Sequence, residues 1–235
     1  IRIIEAWGMT ELSGAVTGGR RGDLRYGSVG KACPGCEIKI TDAGEICVRG
    51  EVVMREYWNK PEATAETIGG DGWLHTGDVG YFDDDGFLFI TDRIKELIVT
   101  AGGKNVAPQP IENALKTHEF IAQAMVIGDH RNFISAIIVP QAEVLEAWAE
   151  ENGIEGDLSA LCKHPRVIEH IRNAVEAKMA SFSRYESVRK FTLVPEEFSQ
   201  ETGELTPTLK LKRRVLLARY ADVIDRMYAN TVSQN

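Results

Sequence analysis

Apolar and polar positions divide the chain into two parts with different rhythms. From residue 26 to residue 91 short apolar stretches alternate with turn residues: EIKIT, DAG and EICVRG, then GYF, DDDG and FLFIT. Stretches of this length bounded by Gly, Asp and Pro predict hairpins, because strand side chains alternate with period two and the turns need permissive backbones. The expected architecture is a small barrel or sandwich of hairpins. The opening run IRIIEAWG reads as another strand, entered with neither a capped start nor a signal peptide. It begins at Ile1 rather than Met, so the sequence reads as a piece of a longer chain.

Beyond Asp92 the segments lengthen. APQPIENALKTH predicts a helix with Pro110 in its first turn, AQAMVIGD and FISAIIVP predict buried strands, and PRVIEHIRNAVEAKMASF carries apolar residues at helical spacing. RRVLLARYADVIDRMYA reads as one amphipathic helix. The fold class is therefore α/β in the broad sense (α+β), with an all-β part over residues 1–91 and an α+β domain over 92–235.

Composition narrows the function. The 235 residues include 27 basic and 35 acidic side chains, a net charge of −8, which argues against a nucleic-acid binder held by bulk electrostatics. No apolar run approaches the roughly 18 residues of a membrane helix. Four cysteines do not make a disulfide scaffold, which points to a reducing, cytoplasmic compartment. Cys33 and Cys36 flank a Pro-Gly turn, whereas Cys47 and Cys162 stand alone in the sequence, so no zinc set is legible. The acidic triplet in YFDDDGFLF fits a hairpin turn better than a calcium loop, since Gly86 in the sixth place would put Tyr81 in the first.

Candidate chemistry begins at TDRIKELIVTAGGKN, residues 91–105. On an extended strand Arg93 and Lys95 share one face and Ile94 takes the other. Asp78, in GWLHTGD, is a carboxylate able to accept hydrogen bonds from a sugar diol. In AWGMTE, Trp7 can stack on a base, Gly8 allows close approach, Thr10 can bond phosphate and Glu11 can hold Mg²⁺.

Taken in order, WGMTE, GWLHTGD, DRIKELIVTAGGKNVAP and ELTPTLKLKR resemble the adenylate-forming superfamily of acyl-CoA synthetases, adenylation domains and luciferases. The long tail FSRYESVRKFTLVPEEFSQETGELTPTLKLKR most resembles long-chain fatty acyl-CoA synthetases. The Ser/Thr/Gly-rich phosphate loop that such enzymes carry before WGMTE has no match here, since TGGRRGD follows that motif and lacks its hydroxyls. The chain thus resembles the C-terminal part of such an enzyme: the β-barrel end of the large domain and the whole small mobile domain.

The resemblance implies two half-reactions on a fatty acid, ATP and coenzyme A, with Mg²⁺. A carboxylate attacks the α-phosphorus to give acyl-AMP and pyrophosphate, and the coenzyme A thiol then displaces AMP. It implies that Lys210 is the cation of the first step, with Lys212 as the alternative because Leu209 stands where many relatives have glycine. Asp78 and Arg93 would lie at the ribose and Asp92 would be the hinge. Lys95, Gly102 and Gly103 would serve the second step, the glycines beside the pantetheine arm. Peripheral contact with the inner membrane surface remains open, as do transfer to a carrier-protein thiol and a non-catalytic nucleotide-binding module. His75 reads as a structural partner within its turn, His130 as a hairpin-turn residue, and His164 and His170 as surface residues. Trp73 reads as core, and Pro108 and Glu112 as positioning the helix after the glycine loop.

Overall fold

The computed structural model describes residues 3–229, and it divides into two compact units that meet between Glu96 and Leu97. That division lies four residues beyond the composition break at Asp92.

The first unit is built of antiparallel hairpins. Strands β1 (Ala6–Met9), β2 (Gly14–Gly18) and β3 (Lys31–Ala32) form one sheet. Strands β4 (Cys36–Ile40), β5 (Glu45–Gly50), β6 (Leu74–Phe82) and β7 (Leu88–Arg93) form a second, with the short helix α1 (Pro61–Thr67) between β5 and β6. Leu12 on the 3-10 turn after β1, Val16 on β2, and Ile46, Val48, Leu74 and Leu88 from the second sheet fill one core, so the hairpins curl into a half-barrel. The strand expected from residue 1 begins only at Ala6. Ile3 and Ile4 are exposed, so they gain nothing from pairing, and residues 1 and 2 lie outside the described residues.

The DDDG segment is the β6–β7 hairpin turn, as expected. Asp83 Oδ1 accepts the backbone N–H groups of Asp85 and Phe87 at 3.1 and 2.9 Å, which ties the turn to itself. Arg25 spans the triplet through ion pairs with Asp83 and Asp85.

The second unit opens with a two-stranded ribbon, β8 (Ile98–Val99) and β9 (Asn105–Val106), whose turn carries Gly102 and Gly103. Helix α2 (Pro108–Lys116) follows, begun by Pro108 where a missing N–H costs nothing. Strands β10 (Ile121–Ile127), β11 (Ile134–Pro140) and β12 (Val188–Leu193) make a mixed sheet, β10 antiparallel and β12 parallel to the central β11. Helices α3 (Ala142–Glu151), α4 (Leu158–Leu161) and α5 (Pro165–Met179) fill the crossover from β11 to β12 that parallel pairing requires.

The fully buried run of β11 shows how period two shares one apolar segment between two cores. Ile134, Ala136 and Ile138 face the cluster containing Ile111, Leu145, Val167 and Ile171. Ile137 and Val139 face the opposite cluster with Leu216, Tyr220, Ile224 and Met227. The single C-terminal helix read from the sequence is two: α6 (Arg213–Arg219) and α7 (Ala221–Ala229), broken at Tyr220, where φ −105° and ψ 20° leave the helical region. Tyr220 is buried, so packing its ring against Phe198 sets the break and overrides an otherwise continuous amphipathic pattern.

Helix α2 is anchored by a buried ion pair, in which Arg213 Nη2 donates to Glu112 Oε1 at 2.7 Å and Val126 N donates to the same oxygen at 2.8 Å. Glu112 thus joins α2 to β10 and α6. His170 is no surface residue: its ring stacks on Trp148 at 4.2 Å and meets Phe120 edge-on at 4.6 Å, and burial lowers its pKa. His130 takes φ 54° in the β10–β11 turn, and His164 caps α5 by accepting Arg166 N–H. Trp73 is half-buried under Lys39 and Arg49, whose charged ends lie 4.2 and 4.7 Å from its ring. No helix among the described residues is long and apolar enough to cross a membrane.

Candidate functional site

The first unit brings three of the expected residues together around one carboxylate. Asp78 stands on β6 directly opposite Arg93 on β7. Arg93 Nε donates to Asp78 Oδ1 at 2.8 Å, and Trp7 Nε1 donates to Oδ2 at 3.0 Å. Both carboxylate oxygens are therefore oriented before any ligand arrives. The indole edge of Trp7 is committed to this bond, which fixes the plane of its ring.

Asp78 and His75, expected in a turn, stand on strand β6, and this stretch is held from below. Thr76 Oγ1 donates to Ile46 O at 2.7 Å and accepts Asp78 N–H at 3.1 Å, while Gly77 N–H donates to Glu45 Oε1 at 3.0 Å. Gly77 takes φ 71°, the left-handed backbone that favours glycine. Sequence reasoning missed Glu45, although its spacing inside GEICVRG placed it on the neighbouring strand.

Arg93 also opens onto a cavity of about 540 Å³, whose walls include Met9, Glu11, Tyr57, His75, Arg93 and Lys95. Glu11 and Thr10 lie on a 3-10 turn after β1, with Thr10 exposed. Tyr57 Oη donates to Glu11 Oε1 at 2.7 Å, and this bond raises the phenol above its ordinary pKa. Tyr57, also missed from the sequence, holds Glu11 in place. A carboxylate with one acceptor position engaged keeps further lone pairs for a hard cation, so the residues present fit Mg²⁺.

One expectation needs correction. The face shared by Arg93 and Lys95 does not arise from strand alternation, because β7 ends at Arg93 and residues 94–96 form a 3-10 turn. The turn winds Arg93, Ile94 and Lys95 alike around the cavity, where an extended strand would have sent Ile94 to the other side. Gly8 has a structural reason independent of any ligand: a Cβ there would lie 1.8 Å from Gly14 O on β2.

The remaining candidates belong to the second unit. Gly103 takes φ 72° in a turn closed by its N–H on Thr100 O at 2.8 Å, and a Cβ on Gly102 would meet nothing nearer than 4.0 Å. Gly102 borders a second cavity of about 350 Å³ with Lys104, Arg184, Tyr185 and Arg189. None of the four was singled out in the sequence; Lys104 follows the two glycines, and the other three stand in the basic, aromatic SRYESVRK.

Lys210 is exposed on a tight turn, its N–H on Thr206 Oγ1 at 3.0 Å and its C=O accepting Thr206 N–H at 2.8 Å. Leu209, just before it, takes φ 59° although it is not glycine. That is the left-handed backbone that favours glycine, and Lys212 is the residue before α6. The turn is anchored by Glu204, buried and ion-paired to Arg219. Burial alone would raise the Glu204 pKa, but hydrogen bonds from Thr202, Arg219 and Ser199 hold it down at about 2.

Comparison with known proteins bears on the same residues. Residues 95–232 match the AMP-binding enzyme C-terminal domain family, and residues 1–58 match the AMP-binding enzyme family. The chain is 45% identical over 97% of its length to the long-chain-fatty-acid–CoA ligase FadD15 of Mycobacterium bovis, covering 38% of that protein. It is 39% identical to the peroxisomal long chain acyl-CoA synthetase 7 of Arabidopsis thaliana over 98% of this chain and 36% of that one. The chain thus spans well under half the length of the curated relatives it matches. Among solved structures, the ATP-bound RpMatB-BxBclM chimera B1 aligns with TM-score 0.69 and 26% identity, over 94% of this chain and 41% of that one. The carboxylic acid reductase A domain from Segniliparus rugosus, with AMP and a co-purified carboxylic acid, aligns with TM-score 0.73 over 97% of this chain and 35% of that one. At 22% identity it shows the fold alone.

Proposed function

The chain belongs to the AMP-binding enzyme family, and on that premise we propose that it supplies the C-terminal part of an ATP-dependent long-chain fatty acid:CoA ligase. The observation that carries the proposal is the oriented Asp78 carboxylate, braced by Trp7 and Arg93 beside the cavity that Glu11 and Lys95 line.

In the first half-reaction a fatty-acid carboxylate oxygen bonds to the α-phosphorus of ATP and the bond to pyrophosphate breaks. Asp78 accepts hydrogen bonds from the ribose hydroxyls, and Arg93 covers the sugar. Glu11, oriented by Tyr57, would hold Mg²⁺, with Thr10 beside it for the phosphate, and a bound metal would supply charge neutralisation at the phosphates. Lys210 places a fixed positive charge where negative charge accumulates on the phosphorus oxygens.

In the second half-reaction the sulfur of coenzyme A bonds to the acyl carbon and AMP leaves, with the thiol proton passing to solvent or base. Gly102 and Gly103 let the pantetheine arm pass close to the backbone, while Lys104, Arg184 and Arg189 offer cations to the phosphates of coenzyme A. Asp92, buried and bonded to its neighbour's N–H, is the hinge residue between the two half-reactions. A cytoplasmic location, with or without contact at the inner membrane surface, fits these water-soluble co-substrates and an apolar acid.

The test is mass-spectrometric detection of products from the complete parent enzyme with ATP, Mg²⁺, coenzyme A and a panel of carboxylic acids. Acyl-CoA and AMP are the expected products. Acyl-AMP without acyl-CoA would leave the adenylating half standing and reject the coenzyme A assignment, pointing to another thiol acceptor.

A further inference from the structure

Strand β5 places Glu45 and Cys47 two residues apart, on the face away from Ile46 and Val48, which point into the half-barrel core. On β6, His75 stands directly opposite Cys47. Glu45 pairs with Val79 across a register shift, and its carboxylate still reaches the same imidazole. Cys47 Sγ lies 3.5 Å from His75 Nδ1, and Nδ1 lies 2.8 Å from Glu45 Oε2. All three ligand atoms fall within 4.8 Å of one another, and among the described residues this is the one such cluster of His, Cys, Asp or Glu.

We propose that Glu45, Cys47 and His75 form a binding site for a thiophilic divalent cation of the class of Zn²⁺, Co²⁺ or Cd²⁺. A tetrahedral ion with metal–sulfur and metal–nitrogen bonds of about 2.3 and 2.0 Å sets its sulfur and nitrogen ligands about 3.5 Å apart, the spacing seen between Cys47 and His75. The nitrogen–oxygen edge needs about 3.3 Å, so the Glu45 carboxylate retreats by about half an ångström. That motion is small for a carboxylate that already lines the cavity with His75. Glu45 and His75 line the cavity, while Cys47 is fully buried behind them.

Proton balance follows from the ligand types. The ion would take the place of the Cys47 thiol proton, which goes to solvent, and would need Nδ1 of His75 unprotonated, with the imidazole proton on Nε2. Burial first, and the Glu45 carboxylate next, push the Cys47 thiol up to about 11, so without an ion it is a poor nucleophile. A bound cation would offset both by stabilising the thiolate. Mg²⁺ does not compete for this site, because thiolate and imidazole select softer metals. Cys33 and Cys36 offer two thiols from one turn without a third ligand, which makes them the natural control.

The experiment is titration of the full 235-residue chain with Co²⁺, followed by optical absorption. One equivalent is expected to produce a sulfur-to-cobalt charge-transfer band. Cys47→Ser abolishes that band, and the double variant Cys33→Ser with Cys36→Ser leaves it intact. His75→Gln, whose side chain is 42% exposed and so leaves the core untouched, weakens Co²⁺ binding by about 100-fold or more. Absence of the band, its loss only in the Cys33–Cys36 variant, or unchanged affinity in His75→Gln overturns the proposal. The last result does so even where Cys47→Ser does not fold.

Discussion

Arg93 and Asp78 face each other across neighbouring antiparallel strands, with Arg93 Nε 2.8 Å from Asp78 Oδ1. Arg93 is 55% exposed, so the pair adds about 0–1 kcal/mol to stability once solvent screening is counted. Its value lies in orienting the carboxylate. Asp78→Ala in the complete enzyme is therefore expected to raise the KM for ATP by about 10- to 100-fold, the loss of one hydrogen bond to a charged group or slightly more. The melting temperature should move little. A large fall in melting temperature with KM unchanged would make the pair structural.

Lys210→Ala is expected to lower adenylate formation by about 100- to 1000-fold, as removal of one electrostatic stabiliser does. Thioester formation from supplied acyl-AMP should survive. Lys212→Ala is the companion measurement: an equal or greater loss there would transfer the role to Lys212.

Gly102 separates ligand contact from backbone strain, because space for a side chain is open there and its φ is not positive, unlike that of Gly103. Gly102→Leu should slow the coenzyme A step by at least about tenfold, an estimate that assumes one closely packed contact is blocked. Adenylation and thermal stability should stay near wild type. A normal coenzyme A step would remove Gly102 from the pantetheine path.

Glu204 gives a pH prediction with a definite sign. Its folded pKa, about 2, lies below the ordinary carboxylate value of 4.5, so the folded state binds this proton less tightly than the unfolded state does. The stability it contributes is present in full above the ordinary value and is lost as pH falls from there through about 2. Denaturant titrations between pH 6 and pH 2 should show Glu204→Gln with a flatter decline than wild type. Equal slopes would place the acid sensitivity in other carboxylates.

Much of the candidate site could be proposed from the sequence because its residues stand in short motifs. Trp7 to Glu11, Asp78 and Arg93 stand in short stretches whose glycines and hydroxyls already suggest a turn beside a ligand, and their family resemblance is local. Tyr57 and Glu45 were not legible in the same way. Tyr57 reaches Glu11 from 46 positions away, and Glu45 reaches Gly77 from 32, so only strand pairing and chain return bring them together.

The sequence by itself determined the hairpins before residue 92, the strand character of FISAIIVP, the helix in APQPIENALKTH with Pro110 in its first turn and the order of the chemical motifs. These rest on interactions between neighbours in the chain: alternation, turn chemistry and the fixed φ of proline. Tertiary structure decided that Lys95 sits on a 3-10 turn, that the last helix breaks at Tyr220, and that His170 lies in an aromatic stack. It also decided that Cys47, solitary in the sequence, meets His75 and Glu45. Each of these depends on which distant surface a side chain is buried against. Burial free energy acts on the folded arrangement, and local periodicity does not carry that information.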